Sequence, residues 1–148
     1  MKYIAYGSNM SRTQMQTRTP GAKLLGVGRI NGMRLAFYNH ATIEPSDEPG
    51  AYVPVALWEI ESTSDWDNLD YYEGYPDYYS KEQMCVEMLD GDTHYGVVYI
   101  MDSKYKTKGS KPSKYYVHGI VDAYYDLGIG SQVDSQIIAA LKRINENQ

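Results

Sequence analysis

Five consecutive residues close to the N-terminus, Tyr6-Gly7-Ser8-Asn9-Met10, join a short apolar strand, Tyr3 to Tyr6, to a helix predicted to begin near Ser11. A strand that ends in a glycine turn opening a helix leaves several backbone N–H groups unpaired, and these can converge on one carboxylate or phosphate. Gly7 is the residue expected to adopt the positive φ of a sharp reversal. The segment reads as an anion cradle.

A second residue, Glu73, has the chemistry of a proton shuttle. In the helix predicted from Ser62–Ser64 to Gly74, Trp66, Leu69, Asp70 and Glu73 fall at i, i+3, i+4 and i+7, which sets the Glu73 carboxyl on the stripe facing the core. It also lies in the last turn, where the partial negative charge of the helix end disfavours an anion. Desolvation and the helix terminus both raise its proton affinity, and a carboxyl brought toward neutrality can take and return a proton. The alternative is a solvated glutamate at a frayed helix end. Tyr71, Tyr72, Tyr75, Tyr78 and Tyr79 cluster around it in sequence and favour a hydroxyl-lined pocket.

The elements that must bring these two features together are mostly strands up to Met101. Lys2 to Tyr6, Ala22 to Arg29 and Met33 to Tyr38 around the turn Asn31-Gly32, and Tyr52 to Glu61 read as strands, with Cys85 to Leu89 and Tyr95 to Met101 as a hairpin about Asp90-Gly91-Asp92. Residues 41–50 and 102–112 read as loops that could line a subsite. Helices are expected from Ser11 to Arg18, stopped by Pro20-Gly21, and through Glu73, with Ser62 and Asp65 at capping-box spacing. Two more run from Ser113 to Leu127, with Tyr116, Ile120, Ala123, Tyr124 and Leu127 on one face, and from Ser131, with Val133, Ile137, Leu141 and Ile144. Both are expected to pack on the sheet. Strands followed by helices predict an α+β fold, a mixed sheet curling toward a small barrel, as one domain over residues 1–148.

Composition narrows the partners. The 14 basic and 19 acidic residues give a net charge of -5, with no basic stripe outside Lys104 to Lys114, which disfavours nucleic acid. Cys85 is the only cysteine and reads as a small buried hydrophobe; His40, His94, His118 and Cys85 have no metal-ligand spacing, so no metal is expected. The start Met1-Lys2-Tyr3-Ile4-Ala5 lacks the apolar run of a signal peptide or membrane helix, so the expectation is a soluble, cytoplasmic protein without a membrane partner. Sixteen tyrosines against one phenylalanine suit polar pockets as well as cores.

Three landmarks in order, Tyr6-Gly7-Ser8-Asn9-Met10, Tyr72-Glu73-Gly74-Tyr75-Pro76 and Pro112-Ser113-Lys114-Tyr115-Tyr116 leading into a C-terminal helix, resemble the γ-glutamylcyclotransferase-like family over nearly the whole chain. The resemblance implies a small mixed barrel-like α+β fold, a substrate loop made here of Tyr6, Gly7, Ser8 and Asn9 with Met10 closing it, and Glu73 as the acid/base. It also implies that Tyr116, Tyr79 and Tyr99 meet substrate. On the residues alone, Tyr116 can equally be a core-facing helix residue, Tyr78 competes with Tyr79, and Tyr95 with Tyr99.

The implied reaction closes a γ-glutamyl amide on itself. The substrate's α-amino nitrogen attacks its own γ-carbonyl, forming 5-oxoproline and expelling an amine or amino acid, without a cofactor. Glu73 suits the proton transfers, and the loop suits the carboxylate or the developing oxyanion. Two other readings are open: a non-catalytic small-carboxylate binding protein on the same fold, and a cyclotransferase for a γ-glutamylated amine or antibiotic-like intermediate. No motif encodes the leaving group or the oligomeric state.

Overall fold

The computed structural model describes residues 1–146, in the order β1 (Lys2–Ala5), α1 (Arg12–Arg18), β2 (Lys23–Asn31), β3 (Met33–Phe37), β4 (Ala41–Pro45), β5 (Tyr52–Glu59), α2 (Thr63–Glu73), β6 (Tyr79–Met88), β7 (Thr93–Met101), α3 (Lys114–Asp126) and α4 (Gly130–Glu146). Five of the strands close a barrel in the order β1-β5-β2-β6-β7, while β3 and β4 form a separate two-stranded sheet. The β1–β7 seam, with Tyr3 opposite Val97, is parallel, and the other pairings are antiparallel. This is the α+β, barrel-like architecture expected from the sequence.

The barrel forms because β5 is apolar on both faces: Val53, Val55, Ala56, Leu57 and Trp58 are all buried. At the seam, a Cβ added to Gly96 would come within 2.9 Å of Ile4 Cγ1, so only glycine lets β7 approach β1 this closely.

Several expectations are corrected by tertiary packing. Asn31-Gly32 is no hairpin turn: β2 pairs with β5 and β6, and β3 leaves the barrel to pair with β4. The stretch read as a loop from Ala41 is strand through Pro45, because Leu35 and Ile43 pair and are buried together. β6 begins at Tyr79, earlier than Cys85; its polar start Ser80-Lys81-Glu82-Gln83 hid a strand that is held by register with β7. Cys85 is exposed instead of buried, lying opposite the exposed Tyr95.

Both late helices use the predicted faces, with Ile120, Ala123 and Tyr124 buried on α3 and Val133 and Ile137 on α4. The expected docking on a sheet holds for α4 and not for α3. α4 packs on α3 and the β3–β4 sheet, and α3 packs on α4 and the loop after β1. Among the described residues no helix is long and apolar enough to cross a membrane.

Candidate functional site

The loop after β1 is a single 3-10 turn, Ser8–Met10, set before α1 begins. Its own bonds run from Met10 N–H to the Gly7 carbonyl at 3.0 Å and from Ser11 N–H to the Ser8 carbonyl at 3.1 Å. The N–H groups of Ser8 and Asn9 precede those bonds and are the donors left for a ligand. The Ser11 hydroxyl then caps α1 by accepting from Gln14 N–H at 3.2 Å.

Two expectations for this loop fail. Gly7 has φ -123°, so the reversal is made without a left-handed residue. Met10 is fully buried in the core and its N–H is spent inside the turn, so it anchors the loop from below and does not reach the recess. The loop is also pinned from α3: the Tyr124 hydroxyl shares its proton between the carbonyls of Tyr6, at 2.7 Å, and Pro54, at 2.6 Å.

α2 delivers Glu73. Its N-terminus is capped by Ser62, whose hydroxyl accepts from Asp65 N–H at 3.3 Å; the Asp65 carboxylate does not close the box but accepts from Gly21 N–H at 3.1 Å, tying α2 to the end of α1. Its C-terminus stops at Gly74, in the left-handed region at φ 66°, where an added Cβ would also meet Tyr78 Cβ at 2.9 Å. Trp66 and Leu69 are buried, and the same stripe carries the Glu73 carboxyl toward the loop.

There Asn9 Nδ2 donates to Glu73 Oε1 at 3.2 Å and to the Tyr3 hydroxyl at 2.9 Å, while Asn9 Oδ1 accepts from Arg18 at 2.6 Å. Burial pushes the Glu73 carboxyl from its ordinary 4.5 up to about 7, against the opposing pull of the Arg18 guanidinium. Desolvation thus supplies the shift. At the helix end the Gly74 and Tyr75 N–H groups donate to the carbonyls of Tyr71 and Asp70.

Two connected spaces meet at this carboxyl. The inner recess, about 40 Å³, is walled by Tyr3, Tyr6, Gly7, Ser8, Asn9, Ala41, Glu73, Tyr79, Tyr99 and Tyr116. The outer vestibule, about 420 Å³, is walled by Gln14, Arg18, His40, Tyr71, Tyr72 and Tyr78 beside Ser8, Glu73, Tyr79 and Tyr116. The last four line both spaces, which makes them the neck.

The recess tyrosines differ in what their hydroxyls are free to do. Tyr6 donates to the Tyr99 carbonyl at 2.6 Å, Tyr79 to the Ala41 carbonyl at 2.5 Å, and Tyr99 to Asp70 at 2.6 Å. Their protons are committed, and burial raises the pKa of each. Tyr116 and Tyr3 are arranged the other way: the Tyr3 oxygen accepts from Asn9 Nδ2 at 2.9 Å, and at the neck the Tyr116 oxygen accepts from Ala41 N–H at 3.1 Å, leaving the Tyr116 proton available there. Burial raises the Tyr116 pKa and that N–H lowers it, to about 12.

The structure therefore gathers Tyr6, Gly7, Ser8, Asn9, Glu73, Tyr79, Tyr99 and Tyr116, and leaves out Met10. Tyr79 faces the recess and Tyr78 the vestibule; Tyr99 is inside, whereas Tyr95 is exposed. Sequence reasoning missed Tyr3, Ala41 and Arg18. Arg18 in the last turn of α1 is explained on sequence by the helix dipole. Its i, i+4 spacing from Gln14 is the signal that both share one face. Among the described residues no three His, Cys, Asp or Glu side chains converge as a metal set.

A family model described as "Gamma-glutamyl cyclotransferase, AIG2-like" matches residues 3–118. Among solved structures, one titled "Gamma-glutamyl cyclotransferase" superposes with a TM-score of 0.77 at 24% identity, covering 99% of this chain and 87% of that one. An uncharacterized protein from Homo sapiens matches with a TM-score of 0.77 at 25% identity and the same coverages, 99% and 87%. A yeast γ-glutamyl cyclotransferase described as specific to glutathione matches at 0.68 and 12% identity, over 100% of this chain and 96% of that one. No curated protein matches the chain.

Proposed function

We propose that this chain, which belongs to the γ-glutamyl cyclotransferase, AIG2-like family, cyclises a γ-glutamyl amide to 5-oxoproline with Glu73 as the proton shuttle. The observation that carries the reading is the neck. A carboxyl whose pKa stands near 7 shares one small recess with the unspent N–H groups of Ser8 and Asn9 and the free proton of Tyr116.

The γ-glutamyl head enters the recess, and its scissile amide lies at the neck. Ionised Glu73 takes a proton from the substrate's α-ammonium, whose ordinary pKa is roughly 8, so the transfer is nearly balanced. The freed amine attacks the γ-carbonyl carbon. The carbonyl oxygen gains the negative charge, and Ser8 and Asn9 N–H with the Tyr116 hydroxyl are the donors available to hold it. The C–N bond then breaks as the leaving nitrogen takes the proton back from Glu73, and the re-ionised carboxylate accepts the second proton of the attacking nitrogen and hands it to the released amine, so that a neutral lactam and an ammonium depart. Nucleophile and electrophile belong to one molecule, so holding it folded supplies much of the acceleration.

The test is 5-oxoproline release from a panel of γ-glutamyl amino acids, γ-glutamyl amines and glutathione. Glu73→Gln keeps the oxygen that accepts from Asn9 and removes the base, so turnover should fall about 10²- to 10⁴-fold with affinity nearly unchanged. Wild-type rates in that variant would remove Glu73 from the mechanism. Binding without turnover across the whole panel would favour a binding protein.

A further inference from the structure

We propose that Arg18 makes the vestibule selective for a leaving group bearing a carboxylate, an amino acid or short peptide instead of a simple amine; this rests on the reaction above. Arg12, Arg29 and Arg34 each pair with an acid at 3.2–3.5 Å. Arg18 has no acidic partner among the described residues. One nitrogen of its guanidinium donates to Asn9 Oδ1 at 2.6 Å and lies 3.4 Å from Ser8 Oγ, and the Tyr72 ring backs it at 4.4 Å. The plane is thus oriented by three neighbours, while its remaining N–H groups have no partner among the described residues and belong to the vestibule wall.

A fixed guanidinium with open donors is the geometry that takes a carboxylate through paired hydrogen bonds. The rest of the wall agrees. Among the described residues Glu73 is the only carboxylate on it, and burial holds His40 below its ordinary pKa, so no second cation of that wall competes for the anion at neutral pH. One helical turn before Arg18, the Gln14 carboxamide oxygen is buried without a partner among the described residues, and Gln14 also lines the vestibule. Rotation of that amide offers either a donor or an acceptor to the same ligand. Tyr71, Tyr72 and Tyr78 leave an aromatic wall for the side chain of the departing amino acid.

The decisive pair is γ-glutamyl-phenylalanine and γ-glutamyl-phenethylamide, which differ by the carboxylate alone. Binding of both is measured by calorimetry in Glu73→Gln, and 5-oxoproline release in the wild type. The acid should bind about tenfold or more tighter than the amide. The preference should shrink to within about twofold when Arg18→Met is added, and Arg18→Lys should restore part of it. The readout is a ratio within one protein, so a general loss through Asn9 does not mimic it. Equal binding of the two compounds, binding of neither, or a preference that survives Arg18→Met overturns the inference. Carboxylate-selective binding without turnover of either compound sinks the cyclisation instead and leaves the subsite standing.

Discussion

Two carboxylates one turn apart on α2 have been given opposite surroundings. Asp70 receives the Lys81 ammonium at 2.8 Å and the Tyr99 hydroxyl at 2.6 Å, so its charge is compensated and its work is to hold the recess wall. Glu73 receives one amide hydrogen from Asn9 and feels Arg18 only at a distance, so burial prevails and its proton affinity rises. Helix position alone does not separate them. The strands that each carboxylate meets do: β6 and β7 bring Lys81 and Tyr99 to Asp70, while the loop after β1 brings only a neutral amide to Glu73.

The contrast can be broken at either end. The largest effect is on activity: the loss of 10²- to 10⁴-fold expected in Glu73→Gln should have no counterpart in Asp70→Asn, whose kcat/KM should stay within about tenfold of wild type. A comparable collapse in Asp70→Asn would make the two carboxylates one catalytic unit.

The stability effects should have opposite signs. The folded pKa of Glu73 lies above its unfolded one, so the folded protein holds an extra proton between 4.5 and about 7, and stability falls as pH rises through that window. Glu73→Gln should therefore be more stable than wild type at pH 8, by at most about 3 kcal/mol, and nearly equal at pH 4.5. Asp70→Asn leaves Lys81 and Tyr99 without their ionic acceptor and should lose about 2 kcal/mol at pH 8. Denaturant titration at the two pH values reads both.

A pH profile refines the same comparison. If Glu73 acts as the base in the free enzyme, kcat/KM should climb about tenfold per pH unit below the group's pKa, about 7, and level above it. A profile flat from pH 5 to 8 would mean that another group takes the proton. The smallest effect belongs to Asn9→Ala, which frees Glu73 Oε1 and the Tyr3 hydroxyl together; a roughly tenfold drop in kcat with a smaller change in KM is expected.

Much of this was legible before any coordinates. The inward stripe of Trp66, Leu69 and Glu73 follows from a 3.6-residue period, and the Tyr6–Asn9 loop follows from strand, glycine and helix succeeding one another. Local rules failed where the decision was made at a distance. Gly7 was expected at positive φ, but the 3-10 turn closes without it. Met10 belongs to the loop in sequence and to the core in space. Ser80 to Gln83 looked too polar for a strand, yet pairing with β7 satisfies its backbone, Glu82 and Gln83 are exposed, and Lys81 pairs with Asp70.

By itself the sequence determined which residues could do chemistry: an acid at a capped helix end, a loop with unpaired donors, and enough tyrosine to line a pocket. Periodicity and capping act over a few residues, and that range suffices to aim a side chain. Only the tertiary structure decided how each group behaves. Closing the barrel sets α1, α2, α3 and the first loop around one recess, and burial there gives Glu73 its proton affinity, while the same packing commits the hydroxyls of Tyr6, Tyr79 and Tyr99 and leaves the Tyr116 hydroxyl and the open edge of Arg18 facing the neck and the vestibule. Desolvation and hydrogen-bond partnership are properties of what surrounds an atom, and for these residues the surroundings come from segments far away in the chain.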